Sequence, residues 1–382
     1  MPSCMKVKKQ LLTDCWKTLS EQKGFDAQKA QLVLAFGDTA KIVLPEQLEY
    51  LRQSYPNAAI AFASTSGEIA SNNVYDNSIV TLAIWLEKST VSTIETDVRE
   101  HTSSYEAGVF LRNTFPDKDL KSIFILSDGT LVNGSELVQG LNYPGTNEVL
   151  ITGGLAGDAD RFQQTFTGLN TIPQPGKIVA IGFYGAALEV GSGSLGGWDE
   201  FGPERVITGS DKNILHSIDH KNALELYKEY LGPFKNELPG SALLFPLSIS
   251  GENQEKKLVR TILSIDEASG TMTFAGNMPV GSKVRLMKAN FDKIIDASAN
   301  VAKQILDKQN EPELAILISC VGRKLILRDR AYEEITAAKQ ILGKDVIIGG
   351  FYSYGEISPA TDITLACELH NQTMTITTFR EI

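Results

Sequence analysis

One order of elements occurs three times along this chain: a strand-length apolar run, a helical stretch, a second apolar run and a glycine turn. The first copy starts at "AQLVLAFGD" and continues through "PEQLEYLRQSYP", where Leu48, Leu51 and Tyr55 fall on one helical stripe. It closes at "AAIAFASTSGEI". The third starts at "ELAILISCVGRK" and runs through "RAYEEITAAKQILG". Tyr332, Ile335, Ala338 and Leu342 form its stripe, Gly343 is its C-cap, and it closes at "DVIIGGFYSYGEIS". A more diverged second copy reads "KSIFILSDG", "GSELVQGLNY" and "EVLITGGLAGD". Two strands joined by a helix normally lie parallel with a right-handed crossover. Ligands of such sheets bind beyond the carboxyl ends of the strands. Glycines there let the backbone turn sharply or let a ligand approach closely; tight turning alone is the plainer account of any one copy.

Between the copies the pattern becomes short, alternating and punctuated by glycine, as in "GKIVAIGFYG", "LEVGSGSLGGW" and "ERVITGSDKNILHSI". A further meander runs through "SALLFPLSI", "KLVRTILSID", "TMTFAGN" and "SKVRLMKAN". The helix "FDKIIDASANVAKQILDKQ" has Phe291, Ile294, Ile295, Val301, Ala302 and Ile305 on its apolar side and Asn290 as N-cap. The last strand is read as the single run "ACELHNQTMTITTF". The expected fold is α/β: repeated strand-helix-strand units combined with antiparallel meanders in two intimately packed domains. An N-terminal extension covers 1–23, a first domain 24–222 and a second 223–382. The border lies at Asn222, where a meander meets the helix "ALELYKEYLG" and no low-complexity linker intervenes.

A net charge of −10 disfavours nucleic acid as a partner. No apolar run approaches a membrane span and the N-terminus has no signal-like core, so a cytoplasmic protein without membrane insertion is expected. Cys4, Cys15, Cys320 and Cys367 form no CxxC pair. The sequence has no GxxxxGK[ST], HExxH, GxSxG or EF-hand loop, and "GGLAGD" lacks the GxGxxG spacing. No catalytic set is recognisable, and a binding protein rather than an enzyme is expected.

Several stretches together resemble the FIST family. "LITGGLAGDADRFQQTFTG" and "GGWDEFGPERVITGSDKNILHSIDHKNALELYKEYLG" are similar to its N-terminal domain. "TMTFAGNMPVGSKVRLM", "ILISCVGRKLIL", "GGFYSYGEISP" and "LHNQTMTITTF" are similar to its C-terminal domain. The match runs in order over nearly the whole chain after about Gly24. The resemblance implies a small-ligand sensory module of bacterial signal transduction. Its NosP-type subset implies haem b, nitric-oxide sensing, and a separate histidine kinase or cyclic-di-GMP enzyme as partner.

Two ligand sites follow as expectations. The first is a pocket for a small polar metabolite such as an amino acid, built at the sheet mouths from Gly153, Gly154, Asp158, Arg323, Tyr354, Gly355, Glu356 and Asn371. Arg323 would grip a carboxylate and Glu356 an amine, unless the two simply pair with each other. Arg323→Ala would then lose affinity and keep the fold. The second is haem, with His370 as axial ligand, because alternation places it on the face of Ala366, Met374 and Ile376. A core hydrogen bond is the simpler role for His370, and Met374, Met287, Cys320 and Cys367 could also ligate iron. His216 and His220 are expected to be solvated, and His101 exposed.

Overall fold

The computed structural model describes residues 4–144, 149–238, 240–251, 257–309, 311–359 and 365–382. Each repeat forms the parallel pair expected of it. Leu32–Gly37 lies beside Ala59–Ser64, Leu120–Ser127 beside Leu150–Leu155, and Leu314–Cys320 beside Ile347–Ser353. The crossover helices are Pro45–Ser54, Gly134–Leu141 and Ala331–Leu342. Proline starts the first, where a missing N–H costs nothing. Asn133 caps the second through Glu136 N. Each pair is the centre of a six-stranded sheet, and an antiparallel strand flanks it: Ile79–Leu86, Lys177–Tyr184 or Met374–Glu381.

The three sheets exchange strands in a cycle. Glu68–Ala70, just past the first turn, pairs with the return strand of the third repeat. Gly355–Pro359, past the third turn, pairs with the return strand of the second. Thr167–Leu169, following the second, pairs with that of the first. The outer strands obey the same rule. Thr90–Asp97 adds to the second sheet and Leu188–Leu195 to the third. Met5–Leu12 adds to the first, in the place that a strand following Met374–Glu381 would take. Met5–Leu12 and Trp16–Glu21, within the segment read as an extension, are therefore strands of a sheet, with Trp16–Glu21 at its edge.

One apolar core joins the three sheets, including Leu34 and Phe36, Phe124 and Leu126, and Ile316 and Ile318. Separate clusters pack the crossover helices on the outer faces. This division into inner and outer faces explains the near-continuous apolar strands, since both faces are covered.

The strands from Trp198–Asp211 to Lys283–Ala289 form a separate antiparallel sheet of eight strands, which enters the chain between Leu188–Leu195 and the helix Phe291–Leu306. It has its own core around Ile207, Leu215, Tyr227, Met272 and Phe274. Asn222 lies inside this unit, capping the helix Ala223–Leu231 through Glu225 N.

Three local expectations change. The run "ACELHNQTMTITTF" is two strands, Cys367–His370 and Met374–Glu381, which join different sheets. Gln372 at φ 62° breaks it, so alternation does not carry across Asn371. In Ala331–Leu342 the buried stripe is Ala331, Glu334, Ile335, Ala338 and Leu342, whereas Tyr332 is 50% exposed. In Phe291–Leu306, Asn290 is the N-cap and Ile294, Val301, Ala302 and Ile305 are buried with Ala297 and Ser298, but Phe291 lies at the surface.

Candidate functional site

The strand cycle brings the three glycine turns together. Ser66 N donates to the Tyr352 carbonyl and Tyr352 N to the Gly67 carbonyl, both at 2.8 Å. Gly157 N donates to Ser64 O at 2.9 Å, and Tyr354 N to Leu155 O at 3.2 Å. Each turn carries one buried acid. Glu68 accepts from Thr65 Oγ1 and, at 2.5 Å, from Ser78 Oγ. Glu356 accepts from Ser353 Oγ at 2.6 Å and from Thr373 Oγ1 at 2.9 Å. Asp158 accepts from Arg161 Nε at 2.6 Å and Gln164 N at 3.2 Å. Burial pushes both glutamates up to about 8, against the opposing pull of these hydroxyl donors. The repeated Gly-Glu-Ile is thus an internal brace: a carboxyl turned back onto the hydroxyl three residues before it.

Most residues expected to bind a ligand belong to this buried joint. Gly153 and Gly154 lie within Leu150–Leu155, opposite Ile357 and Glu356, and Gly355 faces Leu155. Arg323 is fully buried and pairs with Glu334 rather than Glu356, Nη2 to Oε2 at 2.7 Å. Its other donors reach the Ile294 carbonyl, Ser298 Oγ and the carbonyls of Gly196 and Gln372. A charged residue on the buried stripe of a helix, as Glu334 is, was the sequence signal for this pair. Asn371 is fully buried, and its amide has no hydrogen-bond partner among the described residues. Tyr354, of this set, lines the cavity described below. Its ring stacks on Phe162 at 4.6 Å and its oxygen accepts from Phe162 N at 3.0 Å.

His370 is 8% exposed, its Nε2 lies 3.1 Å from the Ser358 carbonyl oxygen, and it lines none of the cavities described below. Its surroundings do not fit an axial haem ligand, which needs a free ring nitrogen facing an apolar slot. His216 and His220 are exposed, and His101 is half-buried against Phe110 with Nε2 at 2.7 Å from Thr96 Oγ1. Among the described residues no group of three or more His, Cys, Asp or Glu could hold a metal ion.

The open space lies where the inserted sheet meets the second and third repeats. A cavity of about 340 Å³ is walled on one side by residues 129–134, Leu155, Phe162 and Tyr354. The inserted sheet supplies Asn213, Leu263, Phe274, Ala275 and Gly276. It sits beyond the carboxyl end of Leu120–Ser127, where α/β sheets place their ligands. Asp128 shapes the loop, its Oδ1 accepting from Thr130 N at 2.8 Å and Leu131 N at 2.6 Å and its Oδ2 from Gly176 N at 3.1 Å. The Asp-Gly-Thr directly after an apolar strand was the readable sign of this loop.

Polar bonds tie the two walls. Asn277 N donates to Ser135 Oγ at 3.1 Å, Lys212 pairs with Glu136 at 2.9 Å, and Arg260 Nη1 donates to the Leu369 carbonyl at 2.9 Å. A wider, mostly apolar cleft of about 830 Å³ adjoins, sharing Phe162 and Leu263 with the cavity. A third cleft of about 580 Å³ lies along the outer strand Leu188–Leu195.

Family models match the chain twice in succession, the FIST N domain over residues 31–221 and the FIST C domain over 223–359. The chain belongs to the FIST family. No curated protein matches it. FIST domains are small-ligand modules associated with signal-transduction sensing. The 340 Å³ cavity takes its lining from both FIST segments: residues 129–134, Leu155, Phe162 and Asn213 from FIST N, and Leu263, Phe274–Gly276 and Tyr354 from FIST C. No helix of the described residues is long and apolar enough to cross a membrane.

Proposed function

We propose that this FIST protein is a cytoplasmic, non-enzymatic sensor that holds a small polar metabolite in the 340 Å³ cavity and regulates a separate partner, such as a histidine kinase or a cyclic-di-GMP enzyme. The observation that carries this reading is the cavity's position between the repeat core and the inserted sheet, with uncharged polar groups (Thr130, Asn133, Asn213) among apolar ones. A ligand there touches both walls. It can therefore favour one stance of the inserted sheet by its differential contacts, which is what a sensor requires.

The test is a thermal-shift and calorimetric screen of free amino acids and other small polar metabolites, with Asn213→Leu as the pocket variant. A metabolite that raises the midpoint of the wild type and loses affinity about tenfold in Asn213→Leu supports the reading. Ligands that bind both proteins equally would refute this cavity as the site. For the haem version the expected result is no Soret band in protein from haem-supplemented cells. A strong band that disappears in His370→Ala would replace the metabolite reading with haem-based nitric oxide sensing.

A further inference from the structure

A buried cation packs against one wall of the cavity, although no charged side chain among the described residues lines it. Arg260 is 4% exposed. Its Nε donates to the Asn277 carbonyl at 3.3 Å, and its Nη1 to the carbonyls of Val259 at 3.2 Å and Leu369 at 2.9 Å. All of these acceptors are neutral, and no carboxylate forms an ion pair with Arg260 among the described residues. Arg323, equally buried, has Glu334. Burial lowers the Arg260 guanidinium to about 10, with Glu368 the acid acting against that shift, so it is cationic at neutral pH. A desolvated cation whose carboxylate neighbour, Glu368, acts only through space is costly, and an anion brought close offsets the cost.

Gly276 is where that anion would come close. This glycine lines the cavity, and a Cβ placed on it would lie 2.8 Å from Arg260 Nε and 3.0 Å from Cζ. Its φ is not in the left-handed region, so space rather than conformation demands glycine here. Gly276 thus lines the cavity and packs directly against the guanidinium. A second feature has the same sign. Asn133 and Gly134, at the start of the helix Gly134–Leu141, line the cavity and present the positive end of its dipole. Of the nearby acids, Glu368 acts on Arg260 without pairing with it, Glu136 is paired with Lys212, and Asp128 is held by the amides of its own loop and of Gly176.

We propose that the ligand of this cavity is a small monoanion of the carboxylate class, whose charge answers Arg260 across Gly276. The inference rests on the reading of the cavity as the ligand site and adds its electrostatic specificity. One buried arginine and one helix end suit a single negative charge; a neutral isostere would add nothing to the through-space compensation from Glu368.

The experiment is calorimetric titration with matched pairs: hexanoate and hexanamide, benzoate and benzamide, 4-hydroxybenzoate and 4-hydroxybenzamide. Each acid is expected to bind at least about tenfold more tightly than its amide, as a charge-assisted contact implies. Leu131→Glu places a negative charge at the cavity mouth on a side chain that is 54% exposed, so the fold is kept. It should weaken the acids severalfold more than it weakens the amides. Arg260→Gln, with folding checked by near-ultraviolet circular dichroism, should erase the acid–amide difference. If that variant does not fold, the matched pairs and Leu131→Glu decide. Amides binding as tightly as acids overturn the inference while leaving the cavity a ligand site. If neither series binds, the inference fails as well, and the sensor reading fails with it only if the metabolite screen is also silent.

Discussion

Single buried charges decide much of what individual residues do here. Arg323 looked from the sequence like a carboxylate-gripping residue at a strand end, but its donors are spent on Glu334 and on backbone carbonyls. Removing one member of a buried pair leaves the other charge uncompensated, which costs about 3–5 kcal/mol. Urea unfolding of Arg323→Ala should show a loss of that size, in place of the selective affinity loss expected from sequence. Arg323→Met combined with Glu334→Leu should recover most of it; a double variant as unstable as the single one would sink the ion-pair account. Glu68 and Glu356 behave differently. Their carboxyls stay protonated in the fold up to about pH 8, whereas an unfolded glutamate ionises near 4.5. The folded state therefore binds more protons across that window. The contribution of each is most favourable below about pH 4.5 and is progressively lost as pH rises toward 8. Glu68→Gln and Glu356→Gln keep a neutral polar end and remove the titration. Each should raise the melting midpoint near pH 8 and leave it nearly unchanged near pH 5. Equal effects at both pH values would show that the two carboxyls are not the source.

At the scale of elements, the glycine turns separate two uses of one residue type. Gly153 sits inside a strand at φ 147°, and a Cβ there would lie 2.0 Å from the Ile125 carbonyl oxygen. Gly343 caps a helix at φ 98° with nothing within 4 Å. Gly153→Ala should therefore cost about 3 kcal/mol or more, from strain and collision together, and Gly343→Ala about 1 kcal/mol, from strain alone. Chemical denaturation of both variants measures the difference, and similar losses would contradict it. The sequence made the three strand-helix-strand units legible because covered parallel strands are written as continuous apolar runs. Legibility failed where one residue overrides a period. Gln372, in the left-handed region, splits the last strand and undoes the face assignment of His370, while Glu334 hides a charge on an apolar helical stripe. The cavity was only partly visible. Tyr354 was identified, but Asn213 and Gly276 come from the inserted sheet, and no local pattern announces which surface that sheet will cover.

At the scale of the whole molecule, the cyclic exchange of strands means that no half of the chain contains a complete set of sheets. The second sheet, built mainly from 90–184, takes Gly355–Pro359 and Cys367–His370 from the far half. The third, built mainly from 314–381, takes Glu68–Tyr75 and Leu188–Leu195 from the near half. The inserted sheet likewise has strands on both sides of Asn222. At the seam the backbone amides of Glu87 and Lys88 donate to the Glu381 carboxylate, at 2.7 and 2.8 Å. A strand pair lost from a sheet exposes both a backbone edge and an apolar face, and an exposed apolar edge aggregates. Segments 1–222 and 223–382, expressed separately, should each be largely insoluble or lack near-ultraviolet circular dichroism. Expressed together they should co-purify as a folded complex, because every missing strand of one is supplied by the other. Protease resistance of the co-expressed pair comparable to that of the intact chain is the expected result. Two halves that each fold alone into protease-resistant, cooperatively melting units would show that the strand exchange is dispensable. The cavity built between FIST N and FIST C would then require only docking, not co-folding.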